Sequence, residues 1–253
     1  MAKRKRSVDH PTGYVIYDGP SLLNGARIFC VATLHSSNGK TGDMIQTWIM
    51  VAEHSPIEAS RHGYDAANCG DCVHRGKPTF AASGQAAGRS CYVTLRNAPL
   101  NIWRHWNAHG YPTARGHAAI AAVGRGRKVR LGAYGDMSAV PSYVADSLLS
   151  EATGHTAYSH QGDNPAASFD AARYMRSADT VEIAAAAWAR GERTFRVVAD
   201  ISEAVAGREI ACTNYTHGTL CIDCMLCDGA GKHPAAKSIV IPVHGAGAKH
   251  WEG

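Results

Sequence analysis

The chain has 253 residues, 45% of them hydrophobic and 19% charged, which is typical of a globular fold with one large domain or a main domain and a small lobe. Apolar runs such as 181–189 are too short to span a membrane, and the N-terminus lacks the apolar segment of a secretory signal. Eight cysteines without such a signal argue against a disulfide framework and favour metal ligation. We therefore expect a cytoplasmic protein with no membrane partner.

Residues 1–12 are predicted to form a basic, disordered tail. The formal net charge of the chain is +5, and residues 1–10 hold four basic side chains against Asp9, so about +2 is left for the rest. Such a tail keeps a protein in solution, and the alternative is that it adds salt-sensitive affinity for phosphate groups.

Short apolar and β-branched runs alternate with helical patterns along the chain. The predicted strands are, in chain order, 27–34, 44–51, 92–95, 129–133, 156–158, 173–176, 194–198 and 238–243. The predicted helices are 99–108, 137–152 and 180–190. Asp136 and Asp179 each precede one of these helices, in the position where an N-cap residue is expected.

The alternation predicts an α/β fold of parallel strand–helix–strand units. A complete or partial (βα) barrel and a doubly wound sheet both accommodate such units, and we favour the barrel. Polar side chains follow three predicted strands, at 134–136, 159–161 and 177–179. Because reactive groups gather at the carboxyl ends of parallel strands in both folds, these segments are candidate site residues. The alternative is that Asp136 and Asp179 only cap the helices that follow.

Two segments are predicted to leave the main fold. Residues 70–90 are rich in Gly, Ser and Ala, and residues 207–236 contain a cysteine cluster and little that would form a core. The chain is therefore divided into the tail, an α/β main domain at 13–206, and a C-terminal metal-binding lobe with the final strand at 207–253.

The C-terminal lobe contains four cysteines in a spacing typical of metal ligands, namely Cys212, Cys221, Cys224 and Cys227. Three close cysteines and one remote cysteine match the way in which a [4Fe–4S] cluster is held. A zinc ion also takes four thiolates but more often uses two separate Cys-x2-Cys pairs. The pattern favours an iron–sulfur cluster, with zinc as the alternative.

An earlier group consists of Cys69, Cys72 and Cys91, with His74 two residues after the first pair. Three thiolates with an imidazole suit zinc, whereas three thiolates alone would hold a four-iron cluster with one iron open to a small ligand. A redox-active Cys-x2-Cys pair is the main alternative, because the thiols of such pairs have a depressed pKa. Cys30, inside an apolar strand, is interpreted as a core residue.

Other motifs give weaker indications. Residues 38–43 resemble a phosphate loop, but Leu34 stands where the Walker pattern requires glycine, which leaves Lys40 as a candidate anion-binding residue. Trp103 and Trp106 lie among basic residues, a composition that nucleic-acid-binding proteins use, although an amphipathic helix with buried tryptophans is the preferred interpretation. His160 is a candidate acid, base or orienting group.

Several motifs resemble those of a cysteine-rich family of bacteriophage and plasmid proteins. They are Asp18-Gly-Pro-Ser-Leu-Leu, Lys40-Thr-Gly-Asp-Met-Ile-Gln-Thr-Trp, Cys69-Gly-Asp-Cys-Val-His-Arg, Cys91-Tyr-Val, Leu131-Gly-Ala-Tyr-Gly-Asp, Arg193-Thr-Phe-Arg and the terminal cysteines. The resemblance covers nearly the whole chain and implies a place in the cytoplasm of a host cell, but no particular activity. The layout is also distantly similar to gene-product-88-like phage proteins.

That layout in turn resembles radical-SAM-like barrels, in which three cysteines hold a cluster at the barrel mouth. The resemblance implies S-adenosylmethionine as a further cofactor, but Cys91 lies 19 positions after Cys72, far outside the compact spacing of that signature.

The leading hypothesis is a metalloenzyme with two cysteine-held centres that acts on a nucleotide or nucleic acid. The residues expected to face the substrate are Lys40, Asp136, Tyr158 and His160. The alternative is a non-catalytic, zinc-stapled module that presents basic residues to nucleic acid. The sequence assigns no catalytic residue and no oligomeric state.

Overall fold

The computed structural model of the protein describes residues 11–231 and 235–252. Most of the predicted basic tail, residues 1–10, therefore lies outside the described residues. The strands of the described part are β1 Gly13–Pro20, β2 Arg27–Thr33, β3 Ile45–Val51, β4 Lys128–Tyr134, β5 Gly154–Ser159, β6 Met175–Ser177, β7 Thr194–Val198, β8 Glu209–Ala211 and β9 Ser238–Pro242. The helices are α1 Pro56–His62, α2 Ala66–Cys69, α3 Ala98–Asn107, α4 His117–Gly124, α5 Ser142–Ser150, α6 Val181–Ala189, α7 Thr213–His217 and α8 Cys221–Cys224.

The strands form one mixed sheet in the order β1-β2-β3-β4-β5-β6-β7-β9-β8. The pairings of β1 with β2 and of β2 with β3 are antiparallel, and every later pairing is parallel. The α/β class is thus confirmed. Because β3 to β7 follow one another in chain order, the sheet lacks the reversal of a doubly wound fold. Over the described residues it is also not closed, since β1 and β8 are edge strands.

Most predicted strands are present with shifts of one or two residues at their ends, but the prediction of a strand at 92–95 is wrong. Leu95 is fully buried in the core beneath β1 and β2. Residues 92–95 are therefore apolar because they pack against this core, and not because they pair with a strand of the sheet. The Arg89 guanidinium donates to the carbonyl oxygens of Cys91 and Val93, and these bonds take the place of a strand partner.

Two of the predicted helices are present as α3 and α6, and the third is interrupted. Residues 137–139 form a single 3-10 turn, and α5 begins only at Ser142. Val140 is extended because it precedes Pro141, whose ring disfavours the helical conformation of the residue before it.

The largest core lies between the sheet and helices α4 and α5, where Val129 and Leu131 meet Val144 and Leu148. A second core includes the stacked rings of Phe29 and Trp106, whose centroids are 3.8 Å apart. Trp103 and Trp106 are half-buried and pack against this core, which agrees with the amphipathic interpretation of α3. No helix of the described chain combines the length and apolarity needed to cross a bilayer.

The segment 207–253, predicted as a lobe with a final strand, extends the main sheet through β8 and β9. Between these strands the chain runs back across the sheet to β5, where the amide of Ala157 donates to the carbonyl oxygen of Cys227 at 2.9 Å. The cysteine-rich segment is therefore attached to the middle of the sheet as well as to its edge.

Candidate metal centres

The four terminal cysteines lie on a short stretch of turns held by backbone hydrogen bonds. Cys212 precedes α7, and Cys221 and Cys224 begin and end α8. The amide of Cys221 donates to the carbonyl oxygen of Lys40 at 3.0 Å, and Lys128 donates to the carbonyl oxygen of Ile222. The turn before β3 and the start of β4 thus fix the position of α8.

The thiols of these four residues interact with one another. Burial raises the pKa of Cys227 to about 12. The hydrogen bond from Tyr158 opposes this shift, and the other three thiols add to it. Burial also raises the pKa of Cys221, with further increases from Cys212 and Cys224. Cys221 and Cys227 therefore both lie close to the other two cysteines. A cation bound among these thiols would favour the thiolate forms that metal ligation requires.

Two further donors face the terminal thiols, and we name the whole set the terminal cysteine site: Cys212, Cys221, Cys224, Cys227, Arg130 and Thr213. The Thr213 hydroxyl donates to Cys224 Sγ at 3.0 Å. Arg130 lowers the pKa of Cys221, although burial of that thiol outweighs the effect. The Arg130 Nε is buried and has no hydrogen-bond partner within the described chain. A buried, unpaired donor beside thiols fits a negatively charged group in their midst.

The spacing of the terminal thiols is wider than a single ion requires. Among the described residues, no three cysteine sulfur atoms lie within 4.8 Å of one another. Four thiolates around one zinc ion would be separated by about 3.8 Å, given Zn–S bonds of about 2.3 Å. A polynuclear cluster holds its thiolates farther apart, because each sulfur binds a different metal atom.

The earlier cysteines form the second group, near the carboxyl ends of the parallel strands. Cys69 ends α2, and its carbonyl oxygen accepts a hydrogen bond from Gln161 Nε2 at 3.1 Å. Gly70 has a positive φ of 54°, and a Cβ there would lie 2.1 Å from Gln161 Oε1, so the turn requires glycine. Burial raises the pKa of the Cys69 thiol well above its ordinary value, and Cys72 and Cys91 add to the shift.

Three further side chains meet beside Cys72, and with the three cysteines they form what we name the strand-end site: Cys69, Cys72, Cys91, His74, His160 and Asp179. The Nε2 atoms of His74 and His160 lie 3.3 and 3.4 Å from Asp179 Oδ1. Although burial lowers the pKa of His160, Cys72 and Asp179 raise it well above its ordinary value. Burial raises the pKa of Asp179, but the two imidazoles outweigh this and hold it well below its usual range.

Asp179 is where sequence reasoning and structure differ most. The predicted N-cap role belongs to its neighbour Thr180, whose hydroxyl accepts from the amide of Ile183. Asp179 is thereby left to face His74 and His160. The only sequence signal for this was its place just after β6, at the carboxyl end of a parallel strand.

Asp136 is an internal acceptor in this structure. Its Oδ1 accepts from the amide and hydroxyl of Ser138, and its Oδ2 accepts from the Ser159 hydroxyl at 2.9 Å and the His160 amide at 3.0 Å. Asp136 thus caps the 3-10 turn at Met137–Ala139 and also binds groups outside that turn. Its carboxylate also fixes the backbone that carries the His160 imidazole.

The four residues expected to face a substrate do not gather in one place. His160 belongs to the strand-end site, with Asp136 directly behind it. Tyr158 contacts Cys227 of the terminal cysteine site. Lys40 is exposed in the turn that precedes β3, at the amino end of the strands. Lys40 therefore lies towards the amino ends of the parallel strands, whereas His160 follows the carboxyl end of β5.

Comparison of the chain with protein-family models, with curated proteins and with solved structures gives no match in any of the three.

Proposed function

We propose that the protein is an iron–sulfur metalloenzyme in which the terminal cysteine site holds a four-iron cluster and the strand-end thiols hold a second. The observation that carries the proposal is the grouping of thiols in two places of the fold, where burial first and neighbouring thiols second raise the pKa of Cys69, Cys221 and Cys227. The preference for iron–sulfur over zinc rests on the sequence spacing of three close cysteines and one remote cysteine.

The residues of the terminal cysteine site would hold and tune the cluster. Arg130 would offset its negative charge, and the hydroxyls of Thr213 and Tyr158 would donate to its ligand sulfurs. When bound, such a cluster supplies one-electron transfer. The backbone bond from Ala157 to Cys227 would keep this centre against β5.

The reacting centre would be the strand-end site. It lies after the carboxyl ends of β5 and β6, where open sheets and barrels of parallel strands bind substrates. His160, whose backbone is held by Asp136 and whose ring faces Asp179, would line the substrate site there. The sequential strands β3 to β7 agree with a partial barrel, and a nucleotide or nucleic-acid substrate, with S-adenosylmethionine as cofactor, follows from the family resemblance alone.

The zinc-stapled nucleic-acid-binding alternative has less support. Arg125 forms an ion pair with Glu151, and Arg127 lies 3.6 Å from Asp43, so these basic side chains are partly neutralised within the chain.

Anaerobic purification with iron, zinc and acid-labile sulfide analysis tests the proposal. We expect about eight irons per chain, the content of two four-iron clusters, with broad visible absorption. Cys224→Ala and Cys91→Ala are each expected to lose about half of that iron. The matched control is Cys30→Ala, because Cys30 is buried against Met137 and contacts neither group. Zinc in place of iron, or full iron content in Cys224→Ala, would overturn the proposal.

A further inference from the structure

We infer that His74, His160 and Asp179 bind one divalent transition-metal ion beside the strand-end thiols. Their ligand atoms all lie within 4.8 Å of one another, and this is the single His, Cys, Asp and Glu group of the described chain with that spacing. The inference goes beyond the proposed iron–sulfur function and does not depend on it, because its ligand atoms belong to imidazole and carboxylate groups and not to the thiols.

The distances within this group suit a shared ion better than a direct ion pair. His74 Nε2 and His160 Nε2 lie 3.3 and 3.4 Å from the same oxygen of Asp179. A charge-assisted hydrogen bond would bring these atoms to about 2.7–2.9 Å. Ligands about 2.0–2.1 Å from a tetrahedral metal ion are separated by about 3.3–3.4 Å. The two observed separations therefore match the edges of a coordination tetrahedron.

A hydrogen-bond partner at Nδ1 of the His74 imidazole orients the ring so that Nε2 can bind a metal ion. Ser90 Oγ lies 2.8 Å from His74 Nδ1, so the hydroxyl can accept the Nδ1 proton and leave the Nε2 lone pair directed at Asp179. His160 is positioned through its backbone amide, which donates to Asp136 Oδ2. Outer contacts of this kind are typical of metal-binding histidines.

The three ligands come from separate parts of the fold, and each is partly open to solvent. His74 lies in the turn after Cys72, His160 follows β5, and Asp179 follows β6. Their side chains are 17%, 23% and 25% exposed, so water can complete the coordination and an ion can exchange. Two imidazoles and one carboxylate, with a fourth position open to water, are a ligand set of tetrahedral Zn²⁺ sites. The ligand class is therefore a first-row divalent ion.

Manganese is the appropriate probe, because Mn²⁺ accepts nitrogen and oxygen ligands and binds weakly to the thiolates nearby. Anaerobically purified protein would be titrated with Mn²⁺, and free Mn²⁺ would be followed by its electron paramagnetic resonance signal. We expect one bound Mn²⁺ per chain. The Asp179→Asn and His74→Ala variants are expected to bind more than about 100-fold more weakly, and Ser90→Ala about 10-fold more weakly, since it removes an outer contact.

The matched control is Asp43→Asn, which alters another carboxylate beside an imidazole. Asp43 Oδ2 lies 3.0 Å from His35 Nδ1, and both side chains are more than half exposed. This variant is expected to bind Mn²⁺ as the parent protein does. Unchanged affinity in Asp179→Asn, or no Mn²⁺ binding by the parent protein, would overturn the inference. Iron and sulfide measured on the same samples report separately on the proposed clusters.

Discussion

Tyr158 and His160 lie two residues apart where β5 ends, and each contacts a thiol of a different cysteine group. Tyr158 donates a hydrogen bond to Cys227, and His160 is hydrogen-bonded with Cys72. Side chains two residues apart on an extended chain lie on one face, about 7 Å apart. The end of β5 therefore connects the terminal cysteine site to the strand-end site along one face of the sheet.

The first prediction concerns the hydrogen bond from Tyr158 to Cys227. In Tyr158→Phe the ring still packs edge-on against Phe195, at a centroid distance of 4.7 Å, so the fold is retained. If the terminal cysteine site holds a cluster, removing a donor to a ligand sulfur lowers its reduction potential, by a shift on the order of tens of millivolts. A spectroscopic redox titration measures the shift.

Tyr215→Phe serves as the comparison, because Tyr215 is 56% exposed on α7. The reduction potential of the Tyr215→Phe variant is expected to equal that of the parent protein. Equal potentials in Tyr158→Phe and the parent protein would mean that this hydroxyl does not tune the centre.

The second prediction concerns Asp136, which accepts four hydrogen bonds from Ser138, Ser159 and His160. In Asp136→Asn one carboxylate oxygen becomes an NH₂ group, which cannot accept from a backbone amide. We expect a loss of about 1–3 kcal/mol in the free energy of unfolding, the cost of an unpaired buried donor. Urea denaturation measures it.

Asp200→Asn provides the reference for this experiment. Asp200 caps the turn at Ile201–Glu203, and asparagine and aspartate are about equally good caps, so stability is expected to change by less than about 0.5 kcal/mol. A small effect in both variants would show that Asp136 is not essential to the backbone around His160.

Most strands were predictable from sequence because they depend on short-range signals. Alternation or apolar runs mark strands such as β7. The meeting of His74 with His160 depends on how the 70–90 segment folds back onto β5, which no local pattern reports. Asp179 and Thr180 are both good N-cap residues, so sequence alone could not decide which of them was free to act as a ligand.

The third prediction concerns Arg193, which secures the chain just after Cys227. Its guanidinium is 3% exposed and donates to the Asp228 carboxylate and to the carbonyl oxygens of Leu226, Gly229 and Lys237. Lysine keeps the charge but has no planar fork. We expect Arg193→Lys to lose about 3–5 kcal/mol of stability and to retain less metal at the terminal cysteine site.

Thermal unfolding and metal analysis of the purified variant test this, with Arg96→Lys on the exposed surface as the control. Normal stability and metal content in Arg193→Lys would show that this arginine does not hold the ligand loop.

The fourth prediction is a pH dependence that originates at Glu192. Its side chain is only 9% exposed and forms ion pairs with Arg176 and Arg190. Burial raises the pKa of Glu192, but hydrogen bonds from the two arginines outweigh this and lower it below its ordinary value. A carboxyl group whose pKa is lower in the folded protein binds fewer protons there than in the unfolded chain. Its contribution to stability is therefore complete above its unfolded pKa, about 4.3, and falls away at more acidic pH.

Glu192→Gln removes this titration and both charged hydrogen bonds. Arg176 keeps its contact with Asp163 at 2.9 Å, so we expect a moderate loss of about 1–3 kcal/mol at pH 7. The difference from the parent protein should shrink as pH falls below about 4, because the parent carboxylate becomes protonated there. Urea denaturation at several pH values measures both free energies, with the exposed Glu53→Gln as the control. If the difference in free energy of unfolding between Glu192→Gln and the parent protein stays constant down to pH 3, the loss of stability comes from packing. A loss that comes from the Glu192 charge must shrink in acid, because the parent carboxylate is protonated there.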